Sequence, residues 1–101
     1  MSSAECENLA ARVRTSSLML DEKRPGWYVE IDLEKLDISK PRCCIIGQLY
    51  PTYRQGIEML KLESPDDDVA RGFDSFENRD LPVLTNLWTV QIKLRIWRAV
   101  A

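Results

Sequence analysis

Residues 43–62 (CCIIGQLYPTYRQGIEMLKL) constrain the fold most, because they form the longest run with clean helical spacing. Apart from one adjacent pair, the apolar residues of this run recur every three or four positions, which places them on one face of an α-helix. They are Ile46, Leu49, Tyr50, Tyr53, Ile57 and Leu60. The other positions are largely polar, as on a solvated face. We therefore expect a helical segment at the centre of the core.

Pro51 interrupts this run. Proline has no amide hydrogen to donate to Gly47, and its ring crowds that carbonyl, so the helix must kink or restart with Pro51 in its first turn. Gly47 and Gly56 lack side chains where another segment could approach the backbone closely. The pattern predicts one kinked helix or two helices in line.

A first helix is expected over residues 3–20, with Ser2 or Ser3 as the N-cap and fraying around residues 15–17. Its apolar face is formed by Cys6, Leu9, Val13 and Leu20, with Ala10 beside them.

A short acidic helix should run from Ser64 and Pro65 to Gly72. The segment that follows it contains two large apolar residues, Phe73 and Phe76, which we expect to anchor it to the core.

Two segments carry signals for both helix and strand. Residues 27–38 alternate apolar and charged residues in part, yet they also contain a capped helical turn. We expect short helical turns there, with a strand as the alternative. Residues 81–100 show helical spacing early and strand-like alternation from Val90 to Ile96. Because almost twenty residues without glycine are long for a strand, length favours a helix.

These patterns predict a mainly α protein: one small domain over residues 1–101, with three principal helices, short helical turns and loops. At 101 residues the chain has room for one core. The expected core is Leu9, Val13, Trp27, Ile31, Leu36, Ile46, Leu49, Tyr53, Ile57, Leu60, Leu84 and Trp88.

Composition excludes several classes of chemistry. The chain has no histidine, so Ser/His and Cys/His nucleophiles cannot be built. Its three cysteines are Cys6 and the adjacent pair Cys43 and Cys44, which is neither a zinc-ligand spacing nor a disulfide framework. We predict a protein that is not an enzyme and that binds no metal and no cofactor.

The sequence also limits the cellular location of the protein and its contact with membranes and nucleic acid. No apolar run approaches the roughly 18 residues of a membrane span, and the N-terminal residues lack a signal-peptide pattern. We expect a cytoplasmic protein with no membrane contact. A net charge of −2 gives no electrostatic signal for nucleic acid.

The blocks LDEKRPGWYVEIDLEKLDI, CCIIGQLYPTYRQGIEMLKL and GFDSF resemble a group of small proteins encoded by bacteriophages of actinobacteria, mycobacteriophages especially. The match covers about residues 20–88. It implies a small accessory phage product that acts in the host cytoplasm by binding a host protein, and it transfers no catalytic role. Pro41 stands where relatives often have a second cysteine, and the C-terminal end is more apolar than is typical of the group.

That apolar end is the predicted binding site. Five large apolar residues between Val90 and Trp97 cannot all face one core, so some should be exposed and mark an interface. We predict that a host protein or a second copy binds through Trp88, Ile92, Arg95, Ile96, Trp97 and Arg98. One alternative is DNA binding by the basic C-terminal helix through Lys93, Arg95 and Arg98, although the acidic balance of the chain weighs against it. In another alternative, the apolar C-terminal end of residues 81–100 simply packs on the first helix.

Overall fold

The computed structural model describes residues 3–62 and 66–100, with side chains from Glu7 onward. Over these ranges it contains no strand. Five α-helices follow one another: α1 (Ser3–Lys23), α2 (Ile45–Leu49), α3 (Tyr53–Met59), α4 (Asp67–Ala70) and α5 (Leu81–Val100). Short 3₁₀-helices occupy Trp27–Glu30 and Asn78–Asp80. The predicted mainly α fold with three principal helices, α1, α3 and α5, is confirmed.

The long helices α1 and α5 pack against each other and carry much of the core. Three aromatic side chains fill the space beside them: the Trp27 and Trp88 rings meet edge to face at 5.7 Å, and Phe73 stacks on Trp88 at 5.2 Å. Such aromatic pairs each contribute roughly 0.5–1.5 kcal/mol beyond the area that they bury. Most of the predicted core residues are buried here, whereas Tyr53 and Ile57 are only half-buried at its edge.

The expected fraying of α1 around residues 15–17 is wrong. Ser16 and Ser17 are buried in the middle of an unbroken helix. The Ser16 hydroxyl donates to the Arg71 carbonyl at 2.5 Å, and the Ser17 hydroxyl donates to the Arg14 carbonyl at 2.8 Å. These serines tolerate burial because each hydroxyl has a partner.

The central run is two helices, but they do not lie in line. Residues 46 and 56 of a continuous helical axis would be about 15 Å apart. Instead, a Cβ atom added at Gly56 would overlap the Ile46 side chain, so α3 folds back against α2. Tyr50 adopts the extended backbone that a following proline favours, and this ends α2. Thr52, not Pro51, begins α3, because its side chain accepts a hydrogen bond from the Gln55 amide at 3.1 Å.

Residues 27–38 form helical turns, as expected, and the strand alternative is wrong. The Gln48 side-chain amide forms hydrogen bonds with this backbone, which a neighbouring strand would otherwise provide. It accepts a hydrogen bond from the Asp32 amide at 2.7 Å and donates to the Asp32 and Cys43 carbonyls. Further along the connector, the Ile38 amide donates to the Thr85 hydroxyl of α5 at 3.0 Å.

Gly72 ends the α4 region as predicted, with a positive φ of 78° and a hydrogen bond from the Phe73 amide to the Asp68 carbonyl at 2.9 Å. Phe73 is buried, but Phe76 is 75% exposed, so the expectation that Phe76 anchors the segment is wrong. The predicted cap at Ser64 and Pro65 lies outside the described residues.

Candidate protein-interaction surface

Helix α5 has two apolar faces. The inner face is fully buried and consists of Leu84, Trp88 and Ile92. A second set of apolar residues recurs at alternating intervals of four and three, which is the spacing of residues that pair helices in coiled coils. At about 100° per residue, these positions fall on one line along the helix, away from the inner face. This set, here called the outer stripe, is Val83, Leu87, Val90, Leu94 and Trp97.

The outer stripe becomes more exposed toward the C-terminus. Val83 and Leu87 are half-buried, whereas Val90, Leu94 and Trp97 are 52%, 40% and 68% exposed. The last three, together with Lys93, line a shallow groove of about 430 Å³. Large apolar side chains that share one surface groove are typical of a binding site rather than of scattered surface residues.

Two of the predicted partner-binding residues, Trp88 and Ile92, are not on the surface. Both are fully buried on the inner face, and the Trp88 indole N–H donates to the Gly72 carbonyl at 2.8 Å. Their size and spacing suit the core, which excludes them from direct contact with a partner. They hold α5 in place.

Arg95 also points inward, contrary to the prediction. Its guanidinium bonds to both carboxylate oxygens of Asp21, to the Ser17 hydroxyl and to the Gln91 carbonyl and side chain. It also lies 5.5 Å from the centre of the Trp27 ring. The side chain is only 12% exposed. Arg95 therefore connects α5 to α1 and does not extend to a partner.

Ile96, Trp97 and Arg98 are exposed, as the prediction requires. On the helix, however, Ile96 lies about 100° from Trp97 and outside the outer stripe. Trp97 belongs to the stripe and Arg98 borders it. The predicted residues thus lie at three places: the core, the α1 contact and the surface.

The six predicted binding residues did not include Val83, Leu87, Val90, Lys93 or Leu94, although Val90 and Leu94 were among the five apolar residues of which some were expected to be exposed. The four-three spacing was present in the sequence and could have identified the four apolar residues of this set, though not Lys93. It was hidden because the inner-face residues Leu84, Trp88 and Ile92, which recur every four positions, lie among the stripe residues in the sequence, so the two sets read as one broadly apolar helix.

A second group of interacting side chains lies between α3 and α4. The Tyr53 hydroxyl donates to the Asp68 carboxylate at 2.6 Å, and burial raises the pKa of Tyr53 well above its usual value. Burial also raises the pKa values of Cys44 and Asp74. The hydrogen bond between Tyr53 and Asp68 connects α3 to α4.

The chemistry elsewhere is limited. Within residues 3–62 and 66–100, no group of three or more Cys, Asp or Glu side chains is placed to hold a metal ion. Cys43 and Cys44 are free thiols. A groove of about 510 Å³ lies beside the start of α5, but its Thr85 hydroxyl is already hydrogen-bonded to the Ile38 amide and the Leu81 carbonyl.

In the described part of the chain, no helix combines the length and apolarity that crossing a bilayer requires.

Comparisons with known proteins leave the family open: no family model matches the chain, and neither a curated protein nor a solved structure is significantly similar to it. The resemblance to actinobacteriophage proteins therefore stays a prediction.

Proposed function

We propose that this protein is a non-catalytic interaction module that binds another protein through the outer stripe of α5. One observation carries the proposal: Val90, Leu94 and Trp97 are exposed together on one face of a helix whose opposite face is fixed in the core. Contiguous exposed apolar surface on a small protein usually marks an interface. Tryptophan is also among the residue types that dominate interface energetics.

The way α5 is held supports this proposal. Trp88 and Ile92 pack in the core, and Arg95 binds Asp21 of α1. The outer stripe is therefore already ordered before a partner arrives. A preorganised surface loses less conformational entropy on binding, so a modest contact area can yield useful affinity.

The partner class follows from the sequence resemblance. If the chain is a small accessory product of an actinobacteriophage, a host protein in the cytoplasm of the infected cell is the natural target. A second copy of the chain is the other candidate, because the four-three spacing of the stripe is also the spacing of self-pairing helices. The DNA-binding alternative loses support, since Asp21 pairs with Arg95 and only Lys93 and Arg98 remain exposed among its basic residues.

The experiment compares two double variants of similar size and polarity. Leu94→Gln with Trp97→Gln changes the outer stripe, and Ile96→Gln with Val100→Gln changes exposed apolar residues of the same helix outside the stripe. Both should keep the helical circular dichroism of the wild type. Immobilised wild-type protein should capture a host protein from an actinobacterial lysate, and the purified partner should then bind in calorimetry.

We expect the stripe variant to lose this binding and the control variant to keep it. Light scattering on all three proteins tests for a homodimer that depends on the stripe. A monomeric wild type whose captured partner binds the stripe variant with unchanged affinity would contradict the proposed function.

A further inference from the structure

The outer stripe lies between basic residues and has no acidic neighbour on its own helix. Residues Leu81–Val100 contain no Asp or Glu, and the structure describes all of them. Lys93 lies about 80° to one side of the middle of the stripe, and Arg98 lies about 60° to the other side. Both are exposed, whereas the charge of Arg95 is already paired with Asp21. The apolar line is therefore bordered by positive charge on both sides.

We infer that the outer stripe binds a short acidic amphipathic helix of a partner protein, rather than a second copy of this chain. This inference rests on the proposed function and names the chemistry of the partner. A helix is the matching shape, because side chains spaced four and three apart form the holes into which another helix inserts its own side chains. The stripe from Val83 to Trp97 is about 21 Å long, so it accommodates about four turns of a partner helix.

Contact area does not decide between the two occupants. A helix pair over about 21 Å buries on the order of a few hundred Å² per side, which is below the roughly 800 Å² per partner of a standard stable interface. The same shortfall applies to a second copy of α5 and to a foreign helix. Either contact would be weak on apolar area alone, so the charges that border the stripe become decisive.

Charge favours the foreign helix. In a self-pair of α5, whether parallel or antiparallel, Lys93 and Arg98 would meet no acidic residue on the other α5, because residues Leu81–Val100 contain none. Flanking residues of like sign oppose pairing, and residues of opposite sign favour it. A partner helix with Glu or Asp on both sides of its apolar line would place carboxylates beside Lys93 and Arg98. It would add attraction to the same apolar contact.

The chain contains its own probe of this surface. All three of its tryptophans lie in the described residues; Trp27 and Trp88 are fully buried, and Trp97 is 68% exposed. Quenching of tryptophan emission by acrylamide therefore reports mainly on Trp97. A ligand that covers the outer stripe should reduce this quenching and shift the emission to shorter wavelength.

The test uses two synthetic helical peptides of fourteen residues with the same leucines at the four-three positions. One has Glu at the flanking positions, and the other has Lys there. We expect the acidic peptide to protect Trp97 and to bind at least about tenfold more tightly than the basic peptide, with an affinity that falls as salt rises. The variant Lys93→Glu with Arg98→Glu should reverse this preference.

The other outcomes separate this inference from the proposed function. If both peptides bind equally to the wild type, the inference about acidity is wrong but the stripe is still a helix-binding surface. If neither binds and light scattering shows a dimer that Leu94→Gln dissociates, the occupant is a second copy. Phosphatidylglycerol vesicles that protect Trp97 when neither peptide does would overturn the inference in favour of a lipid surface. If nothing protects Trp97 and the stripe variant keeps its captured protein, the proposed function itself fails.

Discussion

Arg95 of α5 and Asp21 of α1 form a two-pronged ion pair, with Nε 2.9 Å from Oδ1 and Nη2 2.9 Å from Oδ2. The Trp27 indole N–H donates to the same Oδ1 atom, also at 2.9 Å. Asp21 thus joins both long helices to the 3₁₀-helix that follows α1. Because this contact fixes the rotation of α5 about its axis, it also decides which face of α5 is left outside.

Replacing Arg95 by Met should destabilise the fold by about 2 kcal/mol. Breaking a buried ion pair usually costs about 3–5 kcal/mol, but Asp21 is 38% exposed and water can partly solvate the carboxylate that remains. The measurement is urea unfolding followed by circular dichroism. Arg98→Met is the matched control, because Arg98 is exposed one turn later; it should change stability by less than about 0.5 kcal/mol. Equal midpoints for the two variants would contradict the structural role of Arg95.

The same pair predicts how stability depends on pH. The hydrogen bonds from Arg95 lower the pKa of Asp21 below its usual value. A carboxyl group whose pKa is lower in the folded state stabilises the fold above its unfolded pKa of about 4, and this stabilisation is lost as the pH falls through the folded pKa. Asp21→Asn should therefore be less stable than the wild type at pH 7.

Below about pH 4 the two proteins should converge. Some acid sensitivity should remain in the variant, because hydrogen bonds also lower the pKa values of Glu30 and Asp37. Thermal melts at half-unit intervals from pH 2.5 to 7 would check this. If the stabilities of the wild type and Asp21→Asn changed with pH in parallel, the ion pair between Asp21 and Arg95 would be contradicted.

Two glycine variants should differ in a defined order. A methyl group at Gly47 would overlap the backbone carbonyl of Pro41, whereas a methyl group at Gly56 would overlap the side chains of Ile46 and Tyr50. Side chains can move more easily than backbone. Gly47→Ala should therefore cost more than Gly56→Ala, which we expect to cost about 1–3 kcal/mol. Denaturant titration of both would settle the order, and a Gly47→Ala protein as stable as the wild type would contradict the close approach of residue 41.

Trp88→Phe should lower the melting temperature by about 10 °C. The change removes the buried indole N–H that bonds to the Gly72 carbonyl and leaves a space beside Phe73. An unsatisfied buried group and a small cavity together should cost about 2 kcal/mol, and 1 kcal/mol corresponds to about 4–8 °C in a domain of this size. Trp97→Phe, at an exposed position, should melt within about 2 °C of the wild type. Similar melting of both variants would show that the indole bond is unimportant.

The thiols should differ in reactivity. Cys44 is buried, its sulfur accepts a hydrogen bond from the Gly47 amide at 3.4 Å, and burial raises the pKa of its thiol. Cys43 is half-buried. In a Cys6→Ser background at pH 8, iodoacetamide should modify Cys43 in the native protein but Cys44 only after unfolding. Mass spectrometry of the digested protein reads this out, and equal rates at the two sites would refute it.

The sequence determined the helices through local geometry. The spacing of Leu84, Trp88 and Ile92 predicts a helical face because any α-helix brings such positions together. The same holds for Leu9 and Val13 in α1. Pro51 predicted the break in the central run, since the restrictions that proline imposes act on its nearest neighbours. These features depend on residues close together in the chain, so periodicity and composition were enough to predict the fold class and most of the core.

The tertiary structure decided which surfaces meet, because that depends on residues far apart in the chain. Ser16 can be buried because the Arg71 carbonyl, from a later segment, accepts its hydroxyl hydrogen, and Ser17, which donates to the Arg14 carbonyl of its own helix, also accepts a hydrogen bond from Arg95. Arg95 turns inward because Asp21, 74 residues earlier, provides its counter-ion. Two apolar stripes compete in α5, and the sequence alone cannot rank them. The contacts of Trp88 and Arg95 bury one stripe, and the other, ending in Trp97, is left for a partner.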